Sequence, residues 1–469
     1  MERKREKNKY TYLLKNTGLF AIASISTKLI SFIFLPLYTA YLTTEEYAVV
    51  DLSVVLQALI WPILSLGITD AVLRFAMDKH YDKKKVFSIG IVIAIFGTLL
   101  AILASPFLKL NEMLYEYRFY IIVFYILVSI NSYLLIFLRT INKVKLVVIN
   151  SVISSFSIAG LNFLFLVVMK RGIDGYFQAL IIGNAVSLLS SVLFGKLNAY
   201  FTFKFWDKNL IKEMLVYSLP MIPNSIFWWI NSSLDKFYLT SLMGLTTVGL
   251  YSAAGKIPTA LNMATSVFSQ AWSMSAISEY NNEDSSKFFS NIFKAYNIMM
   301  LLGSSILVIT AKPLASILLS KDFFQAWKYI PVLVVAFYFS AVNLYYGAIF
   351  TAYKKTNVLF WSTGGGAIVN LILTMVLILK FGIVGAAVSA ATSNFIVYFI
   401  RKRIVKRYIT LDVREYNQVA SILILITLAV ISYLDLPIIL GVIFEIILVV
   451  LNLRYLKNLV YFVKNKLRV

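Results

Sequence analysis

The chain has no cysteine and a single histidine, His80. The first absence excludes disulfides, thiol nucleophiles and thiolate metal sites. The second leaves metal chemistry without its commonest ligand. His80 also lies in the basic loop Asp78-Lys79-His80, where a solvated side chain is expected. Charge is scarce, at 14% of residues, against the ~25% of an ordinary soluble domain. No Walker motif occurs. Gly364-Gly365-Gly366 lacks the Lys-Ser/Thr of a phosphate loop and reads as close helix packing. ATP hydrolysis, metal chemistry and a cofactor are therefore not expected, and the chain does not read as an enzyme.

What is present is apolar. Hydrophobic residues make up 60% of the 469 positions, and the mean hydropathy is +0.80. Runs of ~20 apolar residues, each able to cross ~30 Å of hydrocarbon, recur along the whole length. The expectation is an all-α polytopic membrane protein of about fourteen transmembrane helices. They fall near 17–42, 48–75, 86–109, 117–140, 147–169, 173–197, 212–240, 246–275, 288–311, 327–352, 356–379, 383–400, 417–434 and 437–456. The first run is too long and too polar inside for a cleavable signal peptide, and no small-residue cleavage site follows it.

The formal charge of +22 would suggest nucleic acid in a soluble protein. Its placement decides otherwise. Lys and Arg gather at the two termini and in the loops after even-numbered spans, as in Arg3-Lys4-Arg5, Lys83-Lys84-Lys85 and Arg401-Lys402-Arg403. Positive charge marks the cytoplasmic face, so both termini are expected in the cytoplasm, with the chain in the cytoplasmic (inner) membrane. The acidic loop from Glu279 to Lys287 is an exception on that side.

One segment repeats. Gly172-Ile173-Asp174-Gly175 with Asn184 recurs as Gly382-Ile383-Val384-Gly385 with Asn394, an offset of 210 residues that also aligns Lys170 with Lys380 and Lys145 with Lys355. Repeats of this kind locate transporter sites at their interface. The chain then divides into a six-helix lobe over 1–205, a second over 206–408, and two further helices with a basic tail over 409–469. Pro36, Pro62, Pro220, Pro223 and Pro258 fall inside spans, where each removes a backbone hydrogen bond and favours a kink. The Pro220–Pro223 pair is placed where a rocking movement would need a hinge.

Charged side chains deep in a span are costly and face protein or a water-filled cavity. Lys28 lies about eleven residues into the first span, roughly 16 Å at ~1.5 Å per residue. Thr17, Ser24, Thr27, Lys28, Ser31 and Tyr38 share one face of that helix at ~100° per residue. Ser252, Lys256, Thr259, Ser266 and Gln270 form a second stripe, and Asn224, Asn231 and Asp235, with Trp228, a third. For Lys28 and Lys256 the alternatives are a cavity cation and a structural ion pair with a neighbouring helix. Asp235 and Lys236, near the outer end of their span, suit mutual pairing as well as function. Asp70 and Arg74 are spaced to pair at i,i+4, and Arg74 also obeys the positive-inside rule. Glu445 suits a packing contact as well as a proton site. Substrate-binding candidates are thus Lys28, Lys256, Lys236 and Arg74, and the candidate coupling carboxylates are Asp70, Asp235 and Glu445. A cavity lined by cations, hydroxyls and amides suits an anionic, hydrogen-bonding substrate. An exporter of cations would present carboxylates.

Three motifs resemble a known family. They are Leu35-Pro36-Leu37-Tyr38-Thr39 followed by Tyr41-Leu42-Thr43-Thr44-Glu45-Glu46-Tyr47; Asp235-Lys236-Phe237-Tyr238-Leu239 with Gly244, Val248-Gly249-Leu250-Tyr251-Ser252 and Lys256-Ile257-Pro258; and Phe268-Ser269-Gln270-Ala271-Trp272 with Ser275 and Glu279. The chain resembles the polysaccharide transporter family of lipid-linked oligosaccharide (O-antigen-type) flippases, within the superfamily that also holds multidrug and toxin exporters. Ala48 departs from the glycine usual after the Glu-Tyr pair. The resemblance implies two six-helix lobes around a central cationic cavity, and alternating access. It also implies a polyprenyl-pyrophosphate-linked oligosaccharide as substrate, for capsule, O-antigen or a related glycan, with glycan polymerase or glycosyltransferases as further partners. The competing readings are a multidrug/cation antiporter of the same superfamily and a non-transporting scaffold of a glycan-assembly complex.

Overall fold

A segment inside hydrocarbon has no water to satisfy its backbone, so each apolar run must close its hydrogen bonds within itself as a helix. The computed structural model describes residues 28–78, 80–280 and 284–466, leaving the side chains at 110, 270, 278 and 457–466 undescribed. Among the described residues every regular element is helical. After a short helical stretch at 28–33 come α1 (Leu35–Tyr41), α2 (Thr44–Leu64), α3 (Ile68–Met77), α4 (Lys83–Ala104), α5 (Glu112–Glu116), α6 (Arg118–Thr140), α7 (Val144–Asn162), α8 (Gly172–Gly195) and α9 (Lys208–Ser218). There follow α10 (Met221–Met243), α11 (Leu245–Lys256), α12 (Thr259–Glu279), α13 (Ser285–Ile309), α14 (Ala311–Leu318), α15 (Ile330–Ala352), α16 (Thr356–Val405), α17 (Glu415–Tyr433) and α18 (Ile438–Lys466). Ten helices among the described residues are long and apolar enough to cross a membrane. Leu103, Phe107 and Leu379 stand 72–77% exposed, which suits hydrocarbon and not water. The chain is a multi-pass membrane protein.

Most of the breaks fall where proline predicts them. The span expected at 48–75 stops two residues after Pro62 and resumes as α3 once Leu66 and Gly67 have taken positive φ. The span at 212–240 divides between α9 and α10 at Leu219-Pro220, and that at 246–275 between α11 and α12 at Ile257-Pro258. Pro36 instead occupies the first turn of α1, where its missing N–H costs little.

The repeat is conformational as well as textual. Gly172 and Gly382 have φ of +55° and +56°, a region that glycine enters without strain. At Gly382 the backbone breaks α16 into two helices. At the second glycine of each copy, a Cβ would lie 2.9 Å from the Cβ of Phe165 (Gly175) or 2.1 Å from the carbonyl oxygen of Leu377 (Gly385). Asn184 donates to the Leu180 carbonyl at 2.8 Å, and Asn394 to that of Ala390 at 3.0 Å, again 210 residues apart.

The chain forms two compact units, Met1–Trp229 and Ile230–Val469, and their boundary falls inside α10. In the first, Phe87, Tyr133 and Phe137 centre the core, and the Tyr133 hydroxyl donates to the Phe87 carbonyl at 2.6 Å. Asn150 bridges to Ser190 and Ser191 at 2.6 and 2.8 Å, tying α7 to α8. Such polar pairs hold helices together where water offers no drive. In the second unit α15 is the most enclosed crossing. Trp272 of α12 stacks on Tyr345 at 4.7 Å and donates to its carbonyl at 3.0 Å. Gly366 packs tightly, since a Cβ there would meet Val397 at 2.4 Å, whereas Gly365 faces open space. Of the triple glycine, Gly366 is the position that close packing requires.

Candidate functional site

The motif residues build local structure. Thr43 and Glu46 form a capping box at the start of α2, with Thr43 Oγ1 accepting the Glu46 N–H at 3.1 Å and Glu46 Oε2 accepting the Thr43 N–H at 2.8 Å. Tyr38 is buried, accepts Asn162 Nδ2 at 3.2 Å and meets Tyr176 edge-on at 4.8 Å, so it ties α1 to α7 and α8. Gly244, with φ +84°, turns the chain between α10 and α11. Across that turn the Tyr251 hydroxyl donates to Asp235 Oδ2, while the Lys236 N–H donates to Oδ1 at 3.0 Å. Asp235, 5% exposed, is therefore the clasp of a helical hairpin.

In the first unit, Lys28 is partly buried and makes no hydrogen bond or ion pair with any described residue. Ser31 is exposed. Ser24, with Thr17 and Thr27, lies outside the described residues. Asp70 occupies the first turn of α3, where the helix dipole favours an acid. Arg74 pairs with Asp78 at 3.4 Å and not with Asp70. The sequence allows either i,i+4 partner. Asp78 is the one held at the helix end, by His80 Nδ1 at 2.8 Å and the His80 N–H at 3.1 Å. Those contacts hold the Asp78 carboxyl below the usual range. Asn224 is exposed in the first turn of α10, as is Trp228 one turn on. Trp229 donates to the Val55 carbonyl at 2.9 Å.

In the second unit, Asn231 donates to the Thr363 carbonyl at 3.0 Å and accepts from Ser393 at 3.2 Å, so it links α10 to both parts of α16. Lys236 is partly buried. Ser252 is buried, and Lys256 sits partly buried on the last turn of α11 beside the Pro258 break. Thr259 donates to the Lys256 carbonyl, and Ser266 to that of Met263 at 2.9 Å. Gln270 falls on α12 with its side chain outside the described residues. Glu445 of α18 is partly buried and accepts from Ser305 at 3.1 Å, and its second oxygen has no hydrogen-bond partner among the described residues. A cavity of about 710 Å³ lies between α14 and the turn joining α17 to α18, where Lys312 pairs with Asp435 and covers Trp327 at 4.8 Å. No group of three or more metal-ligating side chains occurs among the described residues.

The sequence reading missed Arg401, which it counted as a loop cation. Arg401 is 8% exposed and donates to Ser362 Oγ, the Asn343 carbonyl and Thr363 Oγ1 at 3.0, 2.8 and 2.9 Å. All three acceptors are neutral. An arginine at the end of an apolar run with no acid within a turn was the available signal.

The same features can be set beside known proteins. A Shigella flexneri protein named as an O-antigen transporter is 22% identical over 349 residues, which is 70% of this chain and 82% of its own length. Among solved structures, the lipid II flippase MurJ in an inward closed conformation superposes with a TM-score of 0.68 at 16% identity, covering 93% of this chain and 97% of that one. A Vibrio cholerae MATE transporter, VcmN, gives 0.59 at 14%, covering 85% and 98%. At those identities the fold alone is what is shared. The profile of the polysaccharide biosynthesis protein family matches residues 13–273, more than half of the chain. The chain therefore belongs to the polysaccharide biosynthesis protein family.

Proposed function

We propose that the chain is a flippase moving a polyprenyl-pyrophosphate-linked oligosaccharide across the cytoplasmic membrane by alternating access, for surface polysaccharide biosynthesis. The observation that carries this reading is the sign of the charge on the polar helix faces. Lys28, within a membrane helix, has no described acid beside it, and Lys256 stands at a helix break. A lysine in low dielectric is a strong point-charge partner for pyrophosphate. Lys236 and Arg74 are further candidate cations for the substrate. Ser24, Ser31, Tyr38, Asn224, Asn231, Ser252, Thr259, Ser266 and Gln270 are the hydroxyls and amides proposed to hydrogen-bond sugar. Asp70, Asp235 and Glu445 couple transport to an ion. The O-antigen transporter relative supports the substrate class.

The chain crosses the membrane fourteen times in this reading. The ten long apolar helices gain one crossing from the break at Gly382. The three polar, proline-bearing stretches at 28–41, 208–243 and 245–279 supply the others. Both termini are cytoplasmic, lobes 1–205 and 206–408 alternate in access, and the helices of 409–469 flank them. Glycosyltransferases supply the substrate, and a glycan polymerase consumes it.

The test is transbilayer movement of defined polyprenyl-pyrophosphate saccharides in liposomes, with wild type beside Lys28→Ala and Lys256→Ala. Movement by wild type and its loss in both variants, at equal reconstituted amounts, is expected. Undiminished movement in both variants removes the site. A cation antiporter is the second reading, favoured by the carboxylate of Glu445, one oxygen of which has no hydrogen-bond partner among the described residues. No glycan movement, with cation efflux abolished by Glu445→Gln, establishes that reading instead.

A further inference from the structure

The C-terminal part of α16 and the facing side of α17 enclose a second cavity, of about 640 Å³, within the range of ligand sites. Its two ends differ in chemistry. The rim carries Lys402, Arg403 and Lys406 against one acid, Glu415. Lys406 is taken by Glu415 at 2.6 Å, and Lys402 donates to the neutral Gln418 Oε1 at 2.9 Å. Arg403 lies over the Phe399 ring at 4.9 Å and makes no hydrogen bond or ion pair with any described residue. Two positive charges are therefore uncompensated at the rim. Below it Phe399, Val419 and Leu423 line the cavity while standing 46%, 51% and 58% exposed. In a membrane protein that exposure is exposure to hydrocarbon.

We infer that this cavity binds an anionic phospholipid, with its phosphate between Lys402 and Arg403 and an acyl chain along Phe399, Val419 and Leu423. Basic pockets between transmembrane helices are where anionic headgroups dock. The apolar wall selects a lipid over a soluble anion, because only a lipid covers it and leaves no apolar surface wet. The rim selects an anionic over a zwitterionic lipid, because a headgroup ammonium would stand among three cations. This inference is independent of the flippase reading, since any transporter with this end in a leaflet surface would carry the site.

The test is native mass spectrometry of the full-length protein in neutral detergent, titrated with phosphatidylglycerol, phosphatidylcholine, polyprenyl phosphate and inorganic phosphate. Phosphatidylglycerol is expected to be retained roughly 30-fold better than phosphatidylcholine, from two surface cations acting on one phosphate. Lys402→Gln with Arg403→Gln should abolish that preference. Arg403→Gln alone, at an exposed position that leaves folding intact, should cut it roughly 5-fold. Lys312→Gln, in the other cavity, should leave it unchanged. A preference that survives the double substitution overturns the site. Displacement of phosphatidylglycerol by inorganic phosphate overturns the lipid assignment, and tighter binding of polyprenyl phosphate overturns the choice of lipid.

Discussion

At the scale of the residue, Arg401 decides more than its neighbours. Its guanidinium serves three acceptors in different directions, on α15 and on the first part of α16. A lysine there keeps the charge but loses the planar fork. Arg401→Lys should therefore destabilise the protein by about 3–6 kcal/mol, from two lost charge-assisted hydrogen bonds. The exposed Arg407→Lys should stay within about 0.5 kcal/mol. Denaturant unfolding in detergent measures both, and equal midpoints would show that the Arg401 network is incidental. The sequence showed three consecutive cations and could not rank them. Ranking them requires knowing that α16 continues to Val405, which at ~100° per residue aims positions 401, 402 and 403 in three directions. Asp235 is similar. Its motif was visible in the sequence, but its partner Tyr251 lies sixteen residues away across a turn.

At the scale of the element, helix positions were legible because hydrocarbon demands long apolar runs, and most of the breaks because proline leaves a mark. The independent identity of α9 was not. The sequence placed most of it at the head of a span, yet it folds as a separate amphipathic helix with Leu210, Met214 and Ser218 turned inward. Asp207 holds it at both levels, accepting Lys85 Nζ at 3.1 Å and capping the helix through the Leu210 N–H at 3.2 Å. The Lys85 bond first, and then the cap, keep its carboxyl below the usual range. Because the folded value lies below the unfolded one, this contribution is complete above the unfolded value of ~3.9 and fades as pH falls through the folded one. Docking of α9 should be constant between about pH 8 and 5 and loosen only below about pH 4. The cysteine-free chain lets a single spin label at Asn209→Cys report this without background. Mobility should rise in acid for the otherwise wild-type protein, and the step should vanish with Asp207→Asn. A step that persists in that variant would assign it to another group.

At the scale of the whole molecule, the side on which each loop emerges follows from how many times the chain turns back, and α16 is the place where that count can fail. Fifty residues of helix would run roughly 75 Å at ~1.5 Å per residue, more than twice the ~30 Å of hydrocarbon. One straight crossing is therefore excluded on length, and the positive φ of Gly382 is the only backbone reversal among its described residues. If the chain turns back there, Lys380 emerges opposite Lys354 and Arg407, and the basic cluster after position 400 returns to the side of Lys83–Lys85. If it does not, Arg407 emerges opposite Lys354 and the charge asymmetry of the whole chain is broken. Single cysteines at Lys354, Lys380 and Arg407, with Lys170 and Lys321 as references, separate the two cases in intact cells treated with an impermeant maleimide. Labelling is expected at 170, 321 and 380, and protection at 354 and 407 until the membrane is opened. Protection at 380 together with labelling at 407 would mean that the two parts of α16 do not form a hairpin. The two C-terminal helices would then be inverted, and the cytoplasmic placement of both termini would fall with them.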